Sequence, residues 1–216
     1  MQNNISELVF ILDRSGSMHG LEADTIGGFN STIEKQKAVG GTCYVTTVLF
    51  DDRFERIHDR TELQKIVPMS EKEYSVRGCT ALLDALGSTI RHIASIHRYA
   101  RPEDVPAHTT FVIMTDGMEN ASRHYSSDEV KAMIEHEREK YGWEFLFLAA
   151  NIDAVESAAR IGIRRDRAVD YLADAEGTSL AYETVADAVC AQRLGAPIRA
   201  DWSRRVAENT KRRKKT

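Results

Sequence analysis

An open α/β sheet with helices on both faces is the fold this sequence predicts, and three observations carry it. Apolar and β-branched runs of strand length alternate with helical repeats along the whole chain. Most of those runs are separated by long helical stretches, which is what parallel strand pairs require. One connection, Asp51-Asp52, is too short for a crossover and predicts a hairpin, hence one antiparallel strand near an edge.

The first strand is the apolar run Leu8-Val9-Phe10-Ile11-Leu12. Met18, Ile26, Phe29 and Ile33 then recur at helical spacing to about Val39, where Gly40-Gly41 ends the helix. Thr42 to Phe50 is β-branched and aromatic, and reads as the second strand. After the short turn, Arg53 to His58 alternates polar and apolar and forms the antiparallel partner. Leu82, Leu86, Ile90, Ile93 and Ile96 line one side of a helix over Ala81 to His97. Thr109 to Thr115 is a buried strand ending on Asp116-Gly117. Ser126 with Glu129 three residues on predicts a capping box for the next helix, which carries Val130, Met133 and Ile134. Trp143 to Ala149 is the fifth strand, followed by a short helix over Ala154 to Arg160, a weak strand at Ala168 to Tyr171 and a last helix from Thr178 to Leu194. The sum is a Rossmann-like, mostly parallel, six-stranded sheet.

The chain has 216 residues, 42% hydrophobic and 29% charged, which suits one domain with a sizeable core. That domain is expected over residues 1–200, with 201–216 as a basic, flexible tail. A formal net charge of −4 offers no general attraction to nucleic acid or anionic membrane. No apolar stretch approaches the roughly 20 residues of a spanning helix, and the short polar start has no room for a secretory signal. Cys43, Cys79 and Cys190 are odd in number and widely spaced, with no CxxC pattern. They read as small fillers in a protein of the reducing cytoplasm.

Ligands of open α/β sheets bind beyond the carboxyl ends of the strands, where the strand order reverses. Oxygen-bearing side chains end three segments there. Asp13, Ser15 and Ser17 follow the first strand, Thr80 precedes a helix, and Asp116 closes the strand over Thr109 to Thr115. Should those two strands be neighbours, all five side chains converge. Hard oxygen donors of this kind suit Mg²⁺, with Mn²⁺ or Ca²⁺ as alternatives, and not zinc. Taken singly, each has a plainer role: Asp13, Ser15, Ser17 and Thr80 as helix caps, Asp116-Gly117 as a turn.

In order and spacing these residues resemble the von Willebrand factor type A (VWA) family with its metal-ion-dependent adhesion site (MIDAS). Asp13-x-Ser15-x-Ser17 matches the family's first motif, Thr80 its threonine and Asp116 its later aspartate, and the likeness runs over about residues 5–195. The resemblance implies a stand-alone, cytoplasmic protein of bacterial type. It also implies a cation, held by Asp13, Ser15, Ser17, Thr80 and Asp116, that ligates an Asp or Glu of a protein partner. Three neutral hydroxyls leave the ion strongly electrophilic, and this favours an anionic sixth ligand. Arg14, Arg77 and Glu119 flank the motifs as candidate partner contacts, and Arg123 lies nearby.

The rival class is a metal-dependent hydrolase of phosphoesters, with Asp13 and Asp116 beside the ion. Against it, phosphatases of the haloacid-dehalogenase type carry a second aspartate where this chain has Ser15. No Walker loop, nucleophile elbow or dinucleotide fingerprint occurs either. A third class, nucleic-acid binding, rests on the end of the chain, where residues 203–216 hold seven basic side chains against one acid.

Overall fold

The computed structural model describes residues 4–214. Its six strands are β1 (Ile5–Asp13), β2 (Thr42–Phe50), β3 (Phe54–Glu62), β4 (His108–Thr115), β5 (Glu144–Ala149) and β6 (Ala168–Asp170). The helices are α1 (Glu22–Lys37), α2 (Leu82–Tyr99), α3 (Ser127–Tyr141), α4 (Ala154–Arg160), α5 (Ala175–Arg193) and α6 (Arg204–Arg213). The sheet order is β3-β2-β1-β4-β5-β6. Every pair is parallel except β2 with β3. The expected six-stranded sheet with an antiparallel edge is therefore what forms.

Alternation along β1 divides the core. Leu8, Phe10 and Leu12 face α1 and α5, packing with Phe29, Ile33, Tyr182 and Val185. Val9 and Ile11 face the opposite layer, with Leu86 and Ile90 of α2 and Val130 and Ile134 of α3. Because side chains of a strand alternate in direction, one apolar run serves both layers. Ser126 accepts from the Glu129 N–H while the Glu129 carboxylate accepts from Ser126, so the capping box forms as the sequence implies.

Two elements differ from expectation. The edge strand runs four residues beyond His58, to Glu62, because its register against β2 slips twice, between Val45 and Thr47 and between Thr47 and Val48. Arg60, at φ 46°, sits in that irregularity and is turned inward. The basic end is not a loose tail through Lys214. Val206 and Thr210, four apart, are buried on one side of α6, and Arg213 forms a two-pronged contact with Asp174 at the start of α5 (3.1 and 2.6 Å). Arg204, Arg205 and Arg212 pair with Glu208, Glu183 and Glu176, so much of the basic charge meets this chain's own carboxylates. Met1 to Asn3 and Lys215-Thr216, parts of the two terminal expectations, lie outside the described residues. Among the described residues no helix is long and apolar enough to cross a membrane.

A candidate metal centre at the strand-order reversal

The sheet grows outward from β1 through β2 to β3 on one side and from β4 through β5 to β6 on the other, so its order reverses between β1 and β4. At the carboxyl ends of those two strands the five side chains meet. Thr80 Oγ1 donates to Ser15 Oγ (3.1 Å), Ser15 Oγ and Ser17 Oγ lie 3.0 Å apart, and Ser17 Oγ donates to Asp116 Oδ1 (2.5 Å). Asp13 joins from below. Its Oδ1 accepts from the Ser15 N–H (2.7 Å) and its Oδ2 from Thr115 Oγ1 (2.5 Å).

The plainer roles for these hydroxyls do not apply. Ser15 precedes a short 3-10 turn, Gly16–Met18, without capping it by its side chain, and the residue before α1 is Leu21. Thr80 caps nothing either. The N-terminus of α2 is satisfied from a remote loop: Glu119 Oε2 accepts from the Leu83 N–H (2.9 Å) and Ser122 Oγ from the Asp84 N–H (3.0 Å). In return Asp84 accepts from the N–H groups of Arg123, His124 and Tyr125. This exchange frees the Thr80 hydroxyl to face Ser15. Only Asp13 keeps a turn-like local bond, to the Ser15 N–H.

The backbone around the cluster is tied from several sides. Thr80 N–H donates to Asn120 Oδ1, Gly16 N–H to the Gly78 carbonyl, and Tyr74 OH to the Asp13 carbonyl. A side chain at Gly117 would begin 2.9 Å from Thr80 Oγ1 and 3.1 Å from Ser17 Oγ, so only glycine lets the β4 end approach so closely.

Electrostatically the cluster is unbalanced. Asp13 and Asp116 are 1% and 2% exposed, and no cation figures among the groups that shift them. Burial pushes the Asp13 carboxyl above its usual range, against the pull of hydrogen bonds from Thr115 and Ser15. Burial raises Asp116 too, opposed by the Ser17 hydrogen bond and reinforced by the charge of Asp13. Asp116 Oδ2 is buried with no hydrogen-bond partner. Among the described residues no three His, Cys, Asp or Glu side chains gather to hold a metal. The donors here are two carboxylates and three hydroxyls, a set that fits a hard divalent cation.

The flanking candidates are held by partners within the chain. Arg14 is 2% exposed and turned to Asp51 (2.9 Å) and Glu55 (3.1 Å). Arg77 is exposed and also reaches Asp51 (2.8 Å). Glu119 is committed to the start of α2 and to the N–H groups of Ala121 and Ser122. Sequence reasoning missed Asp51, Asp84, Tyr74 and Thr115 as supports. Asp51 and Asp84 carry no local signal beyond a turn and a helix start, since their partners are remote in sequence.

Comparison with solved structures places the architecture. The ArnB paralog VWA2 from Sulfolobus acidocaldarius superposes with a TM-score of 0.53 at 16% identity, over 86% of this chain and 45% of that one. The PilB minor pilin from Streptococcus sanguinis, as a point mutant, gives 0.60 at 13%, over 89% and 62%. Proximal thread matrix protein 1 from the mussel byssus gives 0.56 at 17%, over 86% and 46%. The chain thus has a VWA-like fold and spans less than two thirds of each of these proteins. No family model matches the sequence, and no curated protein does.

Proposed function

We propose that this chain is a protein-binding module that grips an acidic residue of its partner through a divalent cation, with Mg²⁺ the expected ion. The observation that carries the reading is the pair of buried, cation-free carboxylates bracketing three hydroxyls that cap no helix. A buried charge without a counter-charge is costly, and a hard cation at this spot removes the imbalance for Asp13 and Asp116 together. Ser15, Ser17 and Thr80 would hold the ion as neutral ligands, leaving it with net positive character and an appetite for an outside carboxylate. The VWA-like fold supports the reading, since the site occupies the sheet reversal where ligands of open α/β folds bind.

Isothermal calorimetry with Mg²⁺ and Mn²⁺ tests it. Wild-type protein should bind one ion, and Ser15→Ala should weaken binding at least tenfold while the circular dichroism spectrum stays the same. Heat-silent titrations with both ions would remove the proposal. Turnover of a generic phosphoester that requires Mg²⁺ and Asp13 would replace it with the hydrolase reading.

A further inference from the structure

Beside the hydroxyl cluster the surface opens into a cleft of about 260 Å³. Leu83, Phe147, Ile152 and Ile161 supply apolar walls, and Gly117 lines it as well. Gly117 is therefore shared, because its missing side chain would begin 2.9 to 3.8 Å from the hydroxyls of Thr80, Ser17 and Ser15. Met118, 68% exposed, stands at the mouth. An unbranched thioether adapts to varied apolar surfaces, which suits a rim that closes on a side chain.

The cleft's one carboxylate, Glu119, is occupied by the N–H groups of Leu83, Ala121 and Ser122 and the hydroxyl of Ser122. It is a wall that holds the shape of the cleft, not a receptor for a cation. The volume is below the roughly 300–1,000 Å³ of pockets that take drug-sized molecules and has room for a large side chain.

From this continuity we infer that the partner presents a two-point motif: an Asp or Glu for the ion and, within two residues of it, a large aliphatic or aromatic side chain for the cleft. The inference rests on the cation-dependent reading of the site. Positions i and i+2 of an extended segment share a face and lie about 6.6 Å apart, so one short segment can address the ion and, across Gly117, the cleft. An acid alone would be bound by any exposed cation; the cleft supplies the selectivity.

A bead-displayed octapeptide library with Asp fixed at its centre tests this on the 216-residue chain, in Mg²⁺ and in EDTA. In Mg²⁺, Leu, Ile, Met or Phe should be enriched at one position within two residues of the Asp. The best peptide should bind about tenfold tighter than its Ser analogue, as burial of one such side chain implies. Ser157, on the α4 side of the cleft, is half-buried and lines it, so Ser157→Trp should fill it. That variant should keep Mg²⁺ affinity and selection for Asp but lose the apolar preference, with Ser157→Ala behaving as wild type. Mg²⁺-dependent selection of Asp without apolar enrichment, or enrichment that survives Ser157→Trp in a folded protein, overturns the inference and leaves the cation reading standing. Loss of Mg²⁺ dependence altogether overturns both.

Discussion

Glu7 and Asp13 lie toward opposite ends of β1, each about 1% exposed, and the molecule treats them differently. Glu7 is answered in full. Arg60 Nε donates to both of its oxygens (2.9 and 3.0 Å), and His97 Nε2 lies 2.8 Å away. Arg60 is delivered by the irregular register of β3 and stacks over Tyr44. At the other end Asp13 meets hydroxyls and N–H groups, and its nearest charged influence on Asp116 is repulsive. Asp51, one strand away, follows the Glu7 pattern: burial pushes its carboxyl up, but hydrogen bonds from Arg77 and Arg53 and the charge of Arg14 outweigh that and hold it below the usual range. The fold supplies arginines to Glu7 and Asp51, and none figures among the groups that shift Asp13 and Asp116.

Removing the counter-charged carboxylate should give the largest effect. Glu7→Ala strands the Arg60 guanidinium and should cost about 3 kcal/mol in urea unfolding, with Mg²⁺ affinity unchanged. A loss of metal binding in that variant would break the distinction between the two ends.

The next effect belongs to the ion. At a Mg²⁺ concentration 100 times the dissociation constant, wild-type protein should gain about 2.7 kcal/mol. Asp13→Asn should gain nothing, and in EDTA it should be no less stable than wild type, because it removes a charge that lacks a partner. A large loss of stability for Asp13→Asn in EDTA would mean that the carboxylate is structural, like Glu7.

Smaller still is the pH effect. Asp13 and Asp116 hold protons more tightly in the folded than in the unfolded state, where the usual value is 3.8. Metal-free stability from this pair is therefore lost as pH rises from 3.8 through the raised folded values. Thermal unfolding of wild type against an Asp13→Asn, Asp116→Asn double variant should show wild type losing ground over that range in EDTA, while Mg²⁺ stabilises wild type alone and reverses the gap. A gap that is independent of pH would place the carboxyls in an ordinary, solvated setting. The smallest change should come from Arg77→Ala. Arg77 is exposed and Arg14 still faces Asp51, so the urea midpoint should fall only slightly and Mg²⁺ affinity should stay the same.

Much of this was legible in the residues. Thr42–Phe50 and Ala154–Arg160 form as the strand and helix their patterns imply, because period and punctuation are local properties. The spacing of Asp13, Ser15 and Ser17, the place of Thr80 just before a helix and that of Asp116 at a strand end mark out the cluster in the sequence. The last helix escaped notice because its charged surface outweighs the two positions, Val206 and Thr210, that anchor it. Arg14, next to the motif in sequence, gave no sign that it turns toward Asp51, since that contact depends on where β2 ends.

By itself, then, the chain's pattern determined six strands, their alternation with helices and the identity of five oxygen donors, all of which follow from periodicity and local chemistry. Tertiary structure alone decided that β1 and β4 are neighbours, that Glu119 and Ser122 relieve Thr80 of capping α2, and that arginines reach Glu7 and Asp51 but not Asp13 or Asp116. Those outcomes depend on distances between segments remote in sequence, which only the packed sheet brings within hydrogen-bonding reach.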